Sequence, residues 1–291
     1  MGVRGLFYYT KIYHKPIENE NHLGKDLRVG IDTLCLLYKF HGDIKKIFTF
    51  LKPILHHKLL FVFDGKAPET KMEEVQKRKD SINAIQEKIL ILKGWLNSDI
   101  SDEIKNSLKQ RIEKLEYDSW TVTYEIRQEF KNYLKEHSYA FVKSNQEADA
   151  VLIDLYYANY IDVVLSQDMD FLIAGVEKIW TISNDFLKQI NLKMILDCEE
   201  INKEQFKEVA ILCGIDNIKI CAIDDVTDAI QLIRIYGSIE SIMNHKENFI
   251  QLPNPNYVRD IKKRFYPNRL EPLKNVKEEH LEFLEPFRQM V

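Results

Sequence analysis

Seven carboxylates in this 291-residue chain sit where they could do chemistry together: Asp32, Asp64, Glu147, Asp149, Asp168, Asp170 and Asp216. Three of them close apolar runs of strand character, spanning 27–32, 59–64 and 161–168. A parallel α/β sheet takes its ligands just beyond the carboxyl ends of its strands, so these acids are expected at one sheet edge. Carboxylates gathered there repel one another unless positive charge lies between them. A pair of divalent cations is the economical source, and the chemistry implied is metal-assisted attack on a phosphoester.

Singly, each acid has a plainer role. Asp32 and Asp64 could cap helices or form turns. Ser144-Asn145-Gln146-Glu147 reads as a capping box, with Glu147 reaching back to the Ser144 backbone N–H. Asp168-Met169-Asp170 could be a solvated loop. Together they resist that explanation. Glu147-Ala148-Asp149-Ala150 opens a helix about 20 residues before Asp168, the length of one helix and one strand, so four acids arrive near the same edge.

The elements that must carry these residues follow from periodicity. The first strand is followed by a helical stretch from Leu34 to Leu51, then Pro53 and the second strand. From about Lys71 to Tyr117 the composition shifts to Lys, Glu, Gln and Ile without proline, and apolar residues recur at helical spacing (Ile82, Ile85, Ile89, Leu92; Ile104, Leu108, Ile112, Leu115). Asn97-Ser98-Asp99 and Ser101-Asp102 interrupt the run, which predicts two helices joined by a short turn. A helix over 121–136, a strand over 139–142, a helix opened by Ser144, a strand over 161–167 and a short strand near 179–182 follow. Residues 202–245 read as short helices, and the tail after Gln251 is rich in Pro and Asn, then basic. The fold class expected is α/β: a mostly parallel central sheet flanked by helices, with a long helical insertion after the second strand and an all-helical C-terminal region.

Composition sets the outer bounds. Apolar residues at 45% and charged residues at 30% fit a globular chain, and no apolar run is long enough to span a membrane. The start, Met1 to Leu6, lacks the Ser or Thr of a myristoylation signal and has no secretory h-region. Cys35, Cys198, Cys213 and Cys221 lack CxxC spacing, which suggests reduced thiols in an intracellular protein rather than zinc ligands or disulfides. The net charge of −4 does not exclude a nucleic-acid partner, because setting aside the seven acids leaves +3 on the rest of the chain.

At this point the residues match a family. The chain resembles the flap endonuclease and XPG-type 5′ nucleases over roughly residues 1–245, through Met1-Gly2-Val3-Arg4-Gly5-Leu6, Gly30-Ile31-Asp32-Thr33, Phe63-Asp64-Gly65-Lys66, Glu147-Ala148-Asp149-Ala150, Ser166-Gln167-Asp168-Met169-Asp170 and Leu212-Cys213-Gly214-Ile215-Asp216. Asp149, where many members carry Glu, is similar to the exonuclease-1 branch. The resemblance implies a PIN-like 5′ nuclease fold and phosphodiester hydrolysis with two Mg²⁺ ions, Mn²⁺ substituting. Asp32, Asp64, Glu147 and Asp149 would serve one ion; Asp168, Asp170 and Asp216 would serve the other, with Asp149 able to bridge. It also implies that Lys71 and Arg78, seven residues apart on one helix face, form the basic pair at the scissile phosphate, that Tyr38 stacks on a base near the cleavage point, and that Gly2 and Arg4 lie close to DNA. For the basic pair the bland alternative is a solvated charged face; for Tyr38 it is a core tyrosine.

By the same resemblance, residues 71–120 are the helical arch under which a single strand passes, flanked by nuclease motifs in 1–70 and 121–216. Residues 217–245 are a helix–turn–helix and 246–291 a tail packed on the nuclease domain. That helix–turn–helix is degenerate. Ile223 and Asp225 stand where the family carries glycines that cradle a duplex phosphate, and Asp228 where a basic residue is usual. Residues 246–291 carry no recognisable sliding-clamp motif, and Lys262-Lys263-Arg264 is a short basic run. The expected partner is DNA with 5′ flaps, nicks or ends, handled by a monomer in the nucleus or, for a viral version, at cytoplasmic replication sites. The alternatives are a catalytically silent DNA-binding scaffold of the same fold and a PIN-type ribonuclease.

Overall fold

In the computed structural model the described residues are 3–17, 26–67, 71–98, 100–215, 223–245, 258, 276 and 278–288. Among them, apolar runs rich in β-branched and aromatic residues form β1 (Lys15–Pro16), β2 (Arg28–Asp32), β3 (Lys58–Phe63), β4 (Ala140–Lys143), β5 (Val163–Leu165), β6 (Lys178–Ser183) and β7 (Phe186–Asn191). They pair into one sheet in the order β1-β7-β6-β5-β2-β3-β4. Strands β2 to β6 are parallel, while β7 and β1 join antiparallel at one edge.

Parallel strands need both faces covered, and alternation along each strand supplies two cores. Leu60, Val62, Val142, Val164 and Ile179 face Val151, Leu152 and Leu155 of α7 (Ala148–Tyr157), together with α1 (Leu6–Thr10) and helices that follow the sheet. Those later helices are α8 (Asp170–Ile173), α9 (Leu192–Glu199), α10 (Lys203–Cys213), α11 (Val226–Tyr236) and α12 (Ile239–Asn244). Ile31, Phe61, Phe63, Phe141, Leu165 and Trp180 face the opposite way, onto α2 (Thr33–Lys39), α3 (Ile44–Leu51) and α6 (Tyr124–Glu136).

The helical insertion is a hairpin of α4 (Met72–Leu96) and α5 (Asp102–Asp118). Ile85, Ile89, Leu92 and Leu96 meet Leu108, Ile112 and Leu115, and Ser101 caps α5 by accepting from the Ile104 N–H. The turn expected between 97 and 102 is where the chain reverses.

Local chemistry overrides periodicity in three places. The stretch from Leu34 to Leu51 is two helices rather than one. His41 (φ 48°) and Gly42 (φ 72°) are left-handed, and Asp43 caps α3 by accepting from Lys46 N–H at 3.0 Å. Ser144 does not open a helix. The chain bends after it, stays non-helical to Glu147, and α7 begins at Ala148. The hairpin partner β7 has mixed polarity, which hid it; Asn184 and Asp185, both left-handed (φ 49° and 62°), turn the chain between β6 and β7.

Arg28 ties β2 to the start of β5. It is 8% exposed and binds Asp162 twice, Nε to Oδ2 at 2.9 Å and Nη2 to Oδ1 at 2.5 Å, and also donates to the Phe287 carbonyl at 2.9 Å. Burial works to raise the Asp162 carboxyl, but the Arg28 hydrogen bonds outweigh it and hold the group below the usual carboxylate range. Its stabilising contribution is therefore full above the unfolded value of about 3.9 and lost as pH falls through the lower folded value. Removing Asp162 strands a buried guanidinium, so Asp162→Ala should cost about 3 kcal/mol, somewhat less than a fully buried pair because Asp162 is partly wet. Chemical denaturation at pH 7 and pH 3 checks both points: the penalty should shrink markedly at pH 3.

Candidate metal and phosphate site

The strand register puts the acid-bearing ends side by side. Asp32 lies level with Val62 of β3, and Ile31 with Leu165 of β5. From β2 the chain builds outward through β3 and β4, then returns to the other side of β2 as β5. The gap between β2 and β5 is the topological switch point, where open α/β sheets bind ligands.

Short backbone devices fix each acid there. Asp32 caps α2 through the Cys35 N–H (3.3 Å) and accepts from Ser166 Oγ at 2.9 Å, so a hydrogen bond spans the switch point. The same Ser166 hydroxyl accepts from Asp168 N–H at 3.1 Å, and Asp168 Oδ1 accepts from Asp170 N–H at 2.9 Å. Asp64 accepts from the Ala148 N–H at 2.7 Å, thereby capping α7 from another strand.

Glu147 is the N-cap residue of α7 and makes no side-chain cap bond. The capping-box alternative is thus not what forms: Ser144 Oγ donates to the Glu147 carbonyl at 2.9 Å and accepts from Gln146 N–H at 3.0 Å. Released from capping, Glu147 Oε1 accepts from Lys71 Nζ at 2.7 Å.

Gly65 makes the Asp64 placement possible. A Cβ there would lie 2.2 Å from the Ser144 carbonyl oxygen and 2.6 Å from the Asn145 carbonyl carbon. The bare backbone instead donates from Gly65 N–H to the Gln146 carbonyl at 2.5 Å, and Lys66 N–H to the Asn145 carbonyl at 3.3 Å. These bonds clip the loop after β3 to the loop after β4.

The electrostatics record how tightly the acids gather. Desolvation, then the Asp64 charge, raises the Asp32 carboxyl to about 7, against the pull of its Ser166 and Cys35 hydrogen bonds. Asp149, in the first turn of α7, is pushed well up by desolvation and then by Asp32, Asp168, Asp64 and Glu147. Asp64 is raised by desolvation despite its Ala148 bond, with Arg127 and Lys71 acting to lower it.

The structure therefore brings Asp32, Asp64, Glu147, Asp149 and Asp168 together. Asp170 opens α8 and joins them through its backbone. Asp216 and Gly2 lie outside the described residues. Among the described residues no three His, Cys, Asp or Glu side chains stand assembled to hold a metal ion. Even so, the donor chemistry fits a hard divalent cation: carboxylate oxygens only, mutually repelling and dehydrated.

Around the acids, Lys71 occupies the N-cap position of α4 without a side-chain cap bond and lies on Glu147, while Arg78 is exposed two turns along the same helix. Tyr38 is 47% exposed on α2, which removes the core-tyrosine alternative. Arg4 pairs with Asp224 at 2.9 Å, and both side chains are largely exposed. Asp225 caps α11 through the Thr227 N–H at 2.7 Å, and Ile223 is buried.

Sequence reasoning gave no role to Ser166 or Arg127. Ser166 was legible as the residue after a buried strand and within reach of two acids. Arg127 acts on Asp64 from α6, and only the packing of that helix against the sheet reveals it.

The XPG I-region model matches residues 139–216, the stretch that holds Glu147, Asp149, Asp168 and Asp170. A protein named Flap endonuclease 1 from Entamoeba histolytica is 29% identical over 231 residues, covering 77% of this chain and 57% of the relative. One of the same name from Zea mays is 28% identical over 243 residues, covering 78% and 59%. The chain thus spans little more than half the length of these curated relatives. Among solved structures, the catalytic core of Rad2 in complex with DNA substrate matches with a TM-score of 0.63 at 16% identity, covering 98% of this chain and 94% of that one. Flap endonuclease-1 from Methanococcus jannaschii matches at 0.57 and 17% identity, covering 94% and 96%. At these identities the likeness is one of fold: the mostly parallel, helix-flanked sheet is shared.

If the clip at Gly65 holds the site together, Gly65→Ala should force the two loops apart. A loss of roughly 1–3 kcal/mol in thermal or urea unfolding is expected from the overpacking, with Asp64 displaced from the Ala148 N–H. The amide resonance of Ala148, followed by NMR, should lose its hydrogen-bonded shift in the variant and keep it in Lys66→Ala.

Proposed function

For a chain that belongs to the XPG-type flap endonuclease family, we propose a divalent-metal-dependent, structure-selective 5′ nuclease that hydrolyses DNA phosphodiester bonds in replication, repair or recombination. The observation that carries this reading is the gathering of Asp32, Asp64, Glu147, Asp149 and Asp168 at the β2/β5 switch point, where burial and the charges of their neighbours raise the Asp32 and Asp149 carboxyls.

In this reading Asp32, Asp64, Glu147 and Asp149 hold one ion, and Asp168, Asp170 and Asp216 the second, as Mg²⁺ or Mn²⁺. The chemistry such ions supply when bound is activation of a water and charge support for the leaving oxygen. The chain's own residues do the rest. Ser166 keeps Asp32 and the 168–170 loop in register across the switch point. The Ala148 N–H and Gly65 clip orient Asp64. Lys71 and Arg78 offer positive charge to the phosphate, where it stabilises the extra negative charge that develops on the oxygens. Binding of an anionic strand gives Lys71 a second partner, and Glu147 is then available to a cation. Tyr38 stacks on a base beside the cleaved bond, and Gly2 and Arg4 border the DNA path.

DNA carrying 5′ flaps, nicks or ends is the substrate class supported by the relatives' names and by the complex of the Rad2 catalytic core with DNA substrate. Residues 1–245 would form the nuclease domain, with the arch over 71–120 and residues 246–291 packed on it. No described helix is long and apolar enough to cross a membrane.

The test uses end-labelled flap, nicked duplex, single-stranded DNA and matched RNA, each with Mg²⁺ and with EDTA. Cleavage of the flap or nicked DNA in Mg²⁺, none in EDTA, and a fall of at least about 10³-fold for Asp168→Ala are expected, the last corresponding to about 4 kcal/mol of transition-state stabilisation. Tight flap binding without turnover would turn the reading to a silent scaffold. RNA cleavage beside inert DNA would turn it to a ribonuclease.

A further inference from the structure

At the base of the helical hairpin four rings touch in series. Tyr38, in the last turn of α2, meets Trp120 at a centroid distance of 6.0 Å and an interplanar angle of 90°. Trp120 meets His41 at 4.9 Å and 73°. His41 meets Tyr117, in the last turn of α5, at 4.0 Å and 54°. The series therefore bridges two elements that are distant in sequence: the helix capped by Asp32 and the returning leg of the hairpin.

The backbone is shaped to make this contact. His41 and Gly42 are both left-handed, at φ 48° and 72°, and turn the chain back under Trp120. A Cβ on Gly42 would come within 3.0 Å of Ile126 Cγ2 and 3.4 Å of Trp120 Cζ2, besides the strain of its φ. The indole is thus packed against the turn, and half-buried. The two end rings are not: Tyr38 is 47% exposed and Tyr117 63%. Two tyrosines with open faces are held by two rings packed between them.

The edge-on contact with Trp120 fixes the Tyr38 plane while leaving a face open. Tyr117 is held by the tilted His41 contact and stays 63% exposed, and a ring already ordered loses less freedom when it binds. Every nucleobase has a π-face, so exposed rings of this kind suit unpaired bases without regard to sequence. The location suits them as well. Tyr38 lies six residues beyond Asp32, about 9 Å along the helix axis at the usual rise, a distance spanned by two or three stacked bases at about 3.4 Å each.

We propose that Tyr117 is a second contact ring for unpaired bases, joined through His41 and Trp120 to the Tyr38 ring of the proposed function, with Trp120, wedged against His41 and Gly42, as the positioning residue. The inference rests on the nuclease reading and extends it: Tyr117 adds a second stacking point, carried by the hairpin itself. A strand that reaches the acid edge would touch the hairpin base and α2 at once.

The test is a side-chain and base deletion cycle on 5′-flap DNA, bound in EDTA and cleaved in Mg²⁺, with a single abasic residue walked through the positions around the cleavage point. Tyr38→Leu and Tyr117→Leu should each weaken binding of intact flap by roughly 5- to 100-fold, the range of one lost base stack. Each loss should vanish on one abasic substrate, and the two substrates should differ. Trp120→Leu should reproduce both losses, and Trp120→Phe should restore most of the affinity. Melting curves of all variants identify any that fail to fold, and the two tyrosine variants, exposed in the native state, carry the test if Trp120→Leu does.

If the Tyr117→Leu loss persists at every abasic position, or no loss occurs, the stacking surface is overturned while the nuclease reading stands. If the unaltered protein neither binds nor cuts any of the DNA substrates, the nuclease reading and this inference fall together.

Discussion

Mutual repulsion among buried carboxylates at the β2/β5 switch point is the constraint around which the rest of this fold is arranged. Desolvation and neighbouring charge lift Asp32 to about 7 and push Asp149 well up. Such a gathering costs folding free energy, since each charge must be taken from water and set beside another. A fold retains it only if other interactions offset the cost and if the cluster is of use. The offset is visible in the cores on both faces of the sheet, where Trp180, Phe61, Phe63, Phe130 and Phe141 are almost fully buried. Arg28 adds to it by locking β2 to the strand that brings Asp168.

Backbone hydrogen bonds orient three of these acids. Asp32 and Asp64 cap helices, and the Asp168 carboxylate accepts from the backbone of Asp170. Bonds of this kind fix a carboxylate without neutralising it, which leaves its charge for a ligand. Glu147 is held differently, because the Lys71 ammonium lies on it. About a third of each side chain remains exposed, so the pair is wet enough to exchange partners at small cost. The site thus combines rigid placement of its inner acids with an interchangeable cation at its rim.

Much of this was legible in the sequence, for reasons that differ by element. Asp32, Asp64 and Asp168 could be placed because apolar runs mark buried parallel strands and the strand end marks the ligand edge. The turn at 97–102 was legible because Ser101 is a cap and the two helices repeat apolar residues at period 3.6. The break at His41-Gly42 was not, since apolar spacing continues through it and only packing against Trp120 shows why a left-handed pair belongs there. Glu147 shows the opposite failure. Its local pattern fitted a capping box, but a carboxylate from β3 reached the helix N-terminus first. A pattern confined to four residues carries no information about a competitor 84 positions away.

At the C-terminal helices the structure departs from what the resemblance implies. By resemblance, the turn before α11 should be a glycine-lined cradle for phosphate, yet Asp225 there caps the helix and Asp224 pairs with Arg4. Asp225, at a position where the resemblance expects glycine, has a structural use that a glycine could not serve, since its side chain accepts from the Thr227 N–H and brings local order to the turn. Arg4 is drawn the same way, since its guanidinium answers Asp224 across exposed surface, where salt screens the pair and a phosphate could compete for it. Selection on such a chain would act on the two regions unequally. The acid edge admits few alternatives because Asp32, Asp64 and Asp149 must share one desolvated space. The turn before α11 can trade one stabilising device for another, because a helix cap and an exposed ion pair are what it supplies.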